Sequence, residues 1–353
     1  QRYLLKNRDK IITELDIFYL IHPKNVKITF TGTNGKSTTC KMLYDIFRSK
    51  KLDVRLVGNI GNSPLDEKKI KQNTIFIVEA SSYQIVYNKH FKTDYAAILN
   101  LNVDHLERHE NLSKYAKAKI KLIHDQDINK YSFIEKENAL INKYVSNKNI
   151  KSKMIKIKYN KVNFFKKKIK NRYLLDKNNL NNIHFVYKIS KLFKISDNII
   201  FKSLNLFKGL KFRKEIIYNK SNLTIINDSK STSFSSTIGL LSSYKNIYWI
   251  VGGIFKKGDK FNLKKKYFKN IKAYIIGLNK DHFVNQFKNK LKFEYLRNLN
   301  KAVLRIKNDI KKDNSRKIIL FSPAAASFDQ YDNFEHRGKY FNSLIKSAKI
   351  HDK

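Results

Sequence analysis

The run Thr31-Gly32-Thr33-Asn34-Gly35-Lys36-Ser37-Thr38 constrains this chain more than any other stretch. Ahead of it lies an apolar-rich strand candidate, Val26 to Phe30. Behind it, Thr39 to Lys50 reads as an amphipathic helix with Met42, Leu43, Ile46 and Phe47 on one side. A strand, a glycine turn, a lysine with hydroxyls and then a helix make a phosphate cradle. Backbone N–H groups at the helix start point at the anion, and the helix dipole adds partial positive charge. Gly32 and Gly35 allow a turn that side chains would block. Lys36 reaches the terminal phosphates, and Ser37 or Thr38 holds Mg²⁺. The strict P-loop pattern fails by one position, because its first glycine falls at Phe30. An ordinary glycine turn is the plainer alternative, but the flanking strand and helix favour a nucleoside triphosphate site.

A length of 353 residues predicts two or three domains, each able to bury a core. At 42% hydrophobic and 13% aromatic residues the composition is globular. No apolar run approaches the roughly 20 residues that span a membrane, and the first residues lack a signal-peptide core. A cytoplasmic protein without a membrane partner is therefore expected. The opening on Gln1 suggests a sequence incomplete at its N-terminus. A single cysteine, Cys40, excludes an internal disulfide framework and a cysteine zinc site.

The net charge of +44 invites a nucleic-acid reading. Only 11 of the 73 basic residues are arginine, however, and Asn, Ile, Phe and Tyr are abundant beside Lys. That is the signature of an AT-rich coding sequence. The lysines are spread along the chain, densest at 151–170 and 256–272. Phosphate recognition by arginine forks is not what this composition offers, so no nucleic-acid partner is expected.

Further strand candidates are Val54–Val57, Thr74–Val78 and Tyr95–Leu101. The second ends at Glu79 and the third near Asp104-His105. Their alternation with helices and loops predicts an α/β fold with a mostly parallel sheet, whose ligands sit at the carboxyl ends of strands. From Tyr131 to Lys170 periodicity is weak and no element is assigned. A helix is expected over Asn182–Phe193 and a hinge at Phe207–Leu210. A second alternating pattern follows: strands at Leu223–Ile226, Tyr248–Val251, Ala273–Ile276 and Lys317–Phe321, with helices near Ser233–Ser243 and Asn333–Ala348. It predicts a second, Rossmann-like α/β domain of about 140 residues.

Several strand ends carry polar groups. Glu79 suits Mg²⁺, which prefers oxygen ligands, although a solvated strand-end glutamate reads as well. Asp104-His105 is a base, a metal ligand or a loop pair. Asn227-Asp228-Ser229-Lys230 is either a phosphate contact or a helix start. The small residues of Ser322-Pro323-Ala324-Ala325-Ala326-Ser327 allow a ligand close to backbone.

Together these runs resemble the ATP-dependent Mur ligases over nearly the whole chain. The cradle is shared across that superfamily and with folylpolyglutamate synthases. Glu79-Ala80-Ser81-Ser82-Tyr83-Gln84, Asn227–Thr232 and Ser322–Gly338 resemble its D-glutamate-adding branch. The acidic-Asn-Pro-Arg signature of the diaminopimelate- and lysine-adding branches is absent. The resemblance implies three domains: 1–24 as the tail of a largely missing uridine-nucleotide domain, 25–210 for ATP and 211–353 for the amino acid. It implies ATP-driven joining of D-glutamate to UDP-MurNAc-L-alanine through an acyl phosphate, by a monomer that uses two Mg²⁺ sites.

By the same resemblance Gly32, Thr33, Asn34, Gly35, Lys36, Ser37 and Thr38 cradle ATP, with Asn182 near the adenine and Asp228 at the ribose. Arg213 and Lys230 face the phosphates. Ser37, Glu79, His105 and a carbamylated Lys119 serve the metals. Asn59, Ser81 and His105 contact the muramoyl substrate, while Thr232, Lys256, Ser327 and Phe334 hold D-glutamate. Two departures stand out. Asp176-Lys177-Asn178-Asn179 replaces a Gly-Lys-His-Asn-like run, and Ile254-Phe255-Lys256 replaces Asp-Gly-Lys after Gly252-Gly253. The alternatives are another amide ligase of this superfamily or, in a different class, a basic P-loop ATPase that binds nucleic acid.

Overall fold

The computed structural model describes residues 7–102, 109–146, 149–220, 222–256, 258–310 and 315–350. They form two compact units, Gln1–Lys208 and Gly209–Lys353. Each unit is a six-stranded sheet with helices on both faces.

In the first unit the strands are β1 (Lys27–Thr31), β2 (Val54–Gly58), β3 (Ile75–Glu79), β4 (Tyr95–Ile98), β5 (Tyr131–Glu135) and β6 (Lys153–Ile157). Their order is β2-β3-β1-β4-β5-β6, and every pairing is parallel. Side chains alternate along each strand, so successive residues feed opposite cores. On β3, Ile75 and Ile77 join the cluster that holds Met42, Leu43 and Ile46 of helix Lys36–Ser49. Phe76 and Val78 point the other way, into the cluster with Ile120 and Ile123 of helix Leu112–His124. Strand β3 therefore sits between two packed layers. The loops leaving β1, β3 and β4 emerge side by side.

The second unit holds β7 (Glu215–Lys220), β8 (Leu223–Asn227), β9 (Ile247–Gly252), β10 (Ile271–Ile276), β11 (Lys292–Arg297) and β12 (Lys317–Phe321). Their order is β11-β10-β9-β12-β8-β7, parallel except for the β7–β8 hairpin. Strands β9, β12 and β8 lie next to one another. Their carboxyl ends carry Gly252-Gly253, Ser322–Ser327 and Asn227–Lys230, so the three motifs meet on one edge.

The helices and strands expected from sequence are present, with ends shifted by a few residues. The helix over 182–193 runs Lys177–Leu192, because the Asp176 carboxylate caps the N–H groups of Asn178 and Asn179. Segment 131–170, left unassigned above, supplies β5, β6 and two helices, Ala139–Ser146 and Val162–Lys168. No helix among the described residues is long and apolar enough to cross a membrane.

Candidate active site

The polar cluster of the first unit is built on β1. Lys36 opens helix Lys36–Ser49, with Gly35 just before it at φ 85°. That left-handed backbone favours glycine, and a Cβ there would sit 2.6 Å from the Asn182 side-chain amide. Asn182 is thus buried directly against the cradle. The turn is braced from β4. Asn100 accepts the Asn34 N–H at 2.9 Å and donates to the Asn34 carbonyl at 3.0 Å. The Tyr115 hydroxyl lies 3.1 Å from Thr33 Oγ1. Lys36 Nζ donates to the Gly32 and Thr33 carbonyls at 2.9 and 3.1 Å, inside the loop a phosphate would occupy.

Glu79 ends β3 beside the cradle, since Phe30 and Glu79 are register partners. It is 3% exposed, and its Oε2 is buried without a hydrogen-bond partner among the described residues. An orphaned carboxylate oxygen at the end of the strand paired with β1 fits a hard cation. No cluster of three or more His, Cys, Asp or Glu that could hold a metal occurs among the described residues. Mg²⁺ does not require one, because it keeps several waters. The Cys40 thiol, fully buried below, is pushed well up by desolvation and then by the Glu79 charge, with Lys36 opposing. Both Glu79 and Lys36 thus lie within electrostatic reach of Cys40.

Lys119 lies on helix Leu112–His124 and is 2% exposed. Its Nζ donates to the Gly32 carbonyl at 2.9 Å and lies 4.8 Å from the Tyr115 ring centroid. Lys117, two residues earlier, faces solvent. Asn59 donates its N–H to the Glu79 carbonyl at 3.0 Å. Ser81 caps helix Ser82–Tyr87 with a capping box through Gln84. His109, not singled out above, is buried with Nε2 2.9 Å from Ser82 Oγ and stacks on Tyr83. Asp104 and His105 lie outside the described residues.

A separate polar cluster belongs to the second unit. Phe212 and Lys214, at φ 62° and 48°, flank Arg213 in left-handed backbone. Such strain persists only where neighbours impose it. Here the Glu215 carboxylate accepts the Phe212 N–H at 2.9 Å, and the Asp228 carboxylate accepts the Lys214 N–H at 3.0 Å. Asp228 also accepts from Ser322 Oγ at 2.7 Å, and Ser322 Oγ lies 2.8 Å from Thr237 Oγ1. Lys230 Nζ sits 3.7 Å from the Phe334 ring centroid, a cation–π contact. Ser327 is buried, whereas Thr232 and Lys256 are exposed. The Lys256 loop is tied down on both sides. Ile254 bridges Ala326, and Asp259 accepts the Phe234 N–H at 2.7 Å. Phe255, a departure from the family pattern, stacks on His282 at 3.9 Å.

Burial pushes the Asp228 carboxyl up to about 6, against the lowering effects of Ser322, the Lys214 N–H, Lys214 and Arg213. An unfolded aspartate ionises near 3.9, so the folded state holds its proton longer. The stabilisation is complete below pH 4 and is lost as pH rises toward 6. At about 1.4 kcal/mol per unit, the loss is on the order of 2–3 kcal/mol. Chemical denaturation of the wild type and of Asp228→Asn should show a stability difference that changes across pH 4–6. A constant difference would contradict this reading of the site.

The Mur ligase middle domain family matches residues 30–196. The UDP-N-acetylmuramoylalanine–D-glutamate ligase of Rickettsia prowazekii is 34% identical over 355 residues, covering 95% of this chain and 79% of that protein. This chain belongs to the UDP-N-acetylmuramoylalanine–D-glutamate ligase family. The ligase of the same name from Francisella philomiragia is 33% identical, covering 99% of this chain and 83% of its own.

Solved structures share the fold of this ligase family at low identity. The MurF ligase of Thermotoga maritima in complex with ADP superposes with TM-score 0.65 at 15% identity, over 96% of this chain and 83% of that one. The bifunctional folylpolyglutamate synthase/dihydrofolate synthase of Yersinia pestis, complexed with AMPPNP and Mn ion, gives TM-score 0.66 at 11% identity, over 97% of each chain.

Proposed function

We propose that this protein joins D-glutamate to UDP-MurNAc-L-alanine through an acyl phosphate, with Lys36, Glu79, Lys119, Arg213 and Lys230 as its central polar groups. By family the chain is an ATP-dependent amide ligase of peptidoglycan-precursor synthesis. The observation that carries the substrate assignment is kinship to D-glutamate ligases over 95% of the chain, both units included.

ATP lies on the cradle of residues 32–38, with Lys36 on its terminal phosphates and Asn182 near the adenine. Ser37 and Glu79 would hold Mg²⁺, and His105 and a carbamylated Lys119 would hold a second. Bound Mg²⁺ would neutralise phosphate oxygens and align them for in-line transfer. The substrate carboxylate attacks the γ-phosphorus, and ADP leaves. The amine of D-glutamate then attacks the acyl carbon and loses a proton, and inorganic phosphate departs. Arg213 and Lys230 stabilise the crowded oxyanions, which is the largest task such a site has. Asp228 already accepts from Lys214 and Ser322, which supports a role in setting the Arg213 turn beside any ribose contact.

Asn59 and Ser81 contact the muramoyl part. Thr232, Lys256, Ser327 and Phe334 hold the amino acid, whose carboxylates need a cation and hydrogen-bond donors. A wrong amino acid leaves those donors unpaired, at a cost that gives strong selection. Competition assays should therefore show D-glutamate preferred over L-glutamate, L-lysine and diaminopimelate by on the order of a hundredfold or more in kcat/KM. Comparable use of any of the three would refute the assignment.

A further inference from the structure

Arg337 is among the most deeply buried large side chains of the protein, at 1% exposure. It sits in the first turns of helix Phe334–Ser347, within the Asn333–Gly338 run. A buried cation is costly unless paired. Among the described residues no carboxylate lies within ion-pair distance of this guanidinium. Its hydrogen bonds go elsewhere: Nε to Ser229 Oγ at 3.1 Å, and Nη2 to the Ser229 carbonyl at 2.8 Å and the Ala325 carbonyl at 3.0 Å. Burial lowers its pKa to about 10, with Asp329 and Tyr331 opposing.

The two carbonyls belong to different loops. Ser229 follows β8 and precedes Lys230. Ala325 follows β12, two residues before Ser327. A third loop approaches as well, since a Cβ on Gly253 would lie 3.3 Å from Arg337 Nη1. Ala324 is held in left-handed backbone at φ 54°, a conformation an alanine keeps only when its neighbours impose it. The same helix places Phe334 under the Lys230 ammonium, and the Phe334 carbonyl accepts from Ser229 Oγ at 2.9 Å.

We propose that Arg337 is a positioning residue for the amino-acid half of the site: by holding the Ser229 and Ala325 carbonyls on one guanidinium, it keeps Lys230 in register with Ser327. This inference rests on the D-glutamate assignment above. Arginine suits the task because its planar guanidinium fixes Nε on Ser229 Oγ and Nη2 on both carbonyls at once, which the single nitrogen of an ammonium cannot. The nucleotide cradle belongs to the other unit.

Arg337→Lys keeps the charge and removes the fork. Steady-state kinetics with D-glutamate and ATP varied in turn should give a KM for D-glutamate raised tenfold or more. The KM for ATP should stay within about twofold and the melting temperature should be nearly unchanged. An unchanged D-glutamate KM in the folded variant overturns the inference, and so does a parallel loss for both substrates. Should Arg337→Lys not fold, Ser229→Ala decides. It deletes the Nε contact and the Ser229 Oγ bond to the Phe334 carbonyl, both of which tie this loop to helix Phe334–Ser347, and should raise the D-glutamate KM severalfold; an unchanged KM again overturns the proposal. A wild type that does not use D-glutamate removes the underlying assignment instead, so the two failures are separable.

Discussion

Lys36→Ala is expected to abolish ATP turnover while leaving the fold intact. The lysine stands at the start of a helix, behind a left-handed glycine, with its ammonium on the Gly32 and Thr33 carbonyls. A triphosphate in the cradle would depend on that ammonium. Removing one preorganised cation from a transferring phosphoryl group costs on the order of 3–4 kcal/mol, a hundredfold or more in rate. Circular dichroism would establish folding and coupled ADP release the rate. A folded Lys36→Ala protein with near-normal turnover would remove the cradle from the mechanism.

Lys119→Ala is expected to lose activity nearly as severely, and part of it should return with added formate or acetate. Lys119 is buried against the Gly32 carbonyl and the Tyr115 ring, within reach of the same cradle. As a carbamate it would present oxygens to Mg²⁺, which an ammonium would repel. Short carboxylates supply the same kind of oxygen, so they replace a carbamate and cannot replace a cation. Lys117→Ala should be nearly silent, because Lys117 points to solvent. An essential Lys117 with a dispensable Lys119 would require the second metal site to be redrawn. Loss without carboxylate rescue would leave Lys119 acting as an ammonium.

The parts of the molecule legible in sequence are those where one physical demand dominates. Strands β1, β3 and β12 are buried on both faces, so they read as continuous apolar runs between punctuating polar residues. The cradle needs glycine at Gly35 for its backbone and lysine at its mouth, and both stand in the sequence. Edge strands carry no such mark. β6 buries only Ile157 and exposes Lys153 and Lys156, β11 buries no residue, and both are lost in the general basic background. β7 is hidden for the same reason and pairs antiparallel, outside the parallel pattern of its sheet.

The site shows the same division. Glu79 and Asp228 announce themselves as carboxylates at the ends of apolar strands. The Asn34–Asn100 bracing and the contact of Asn182 with Gly35 depend on residues 66 and 147 positions apart, which no local pattern records. Arg337 lies within the Ser322–Gly338 run, but nothing in the run separates it from the other basic residues, and its burial is what sets it apart. Of two lysines in Tyr115–Lys119, side-chain direction on the helix separates the buried one from the exposed one.

The most direct test of the account is a single reaction. Purified protein is incubated with ATP, Mg²⁺, UDP-MurNAc-L-alanine and D-glutamate, and the products are followed by mass spectrometry and phosphate release. The account predicts one inorganic phosphate and one ADP for each new amide, with a product heavier than the nucleotide substrate by one D-glutamate less one water. Phosphate release that is independent of D-glutamate, or an amide formed equally with L-glutamate, would contradict it.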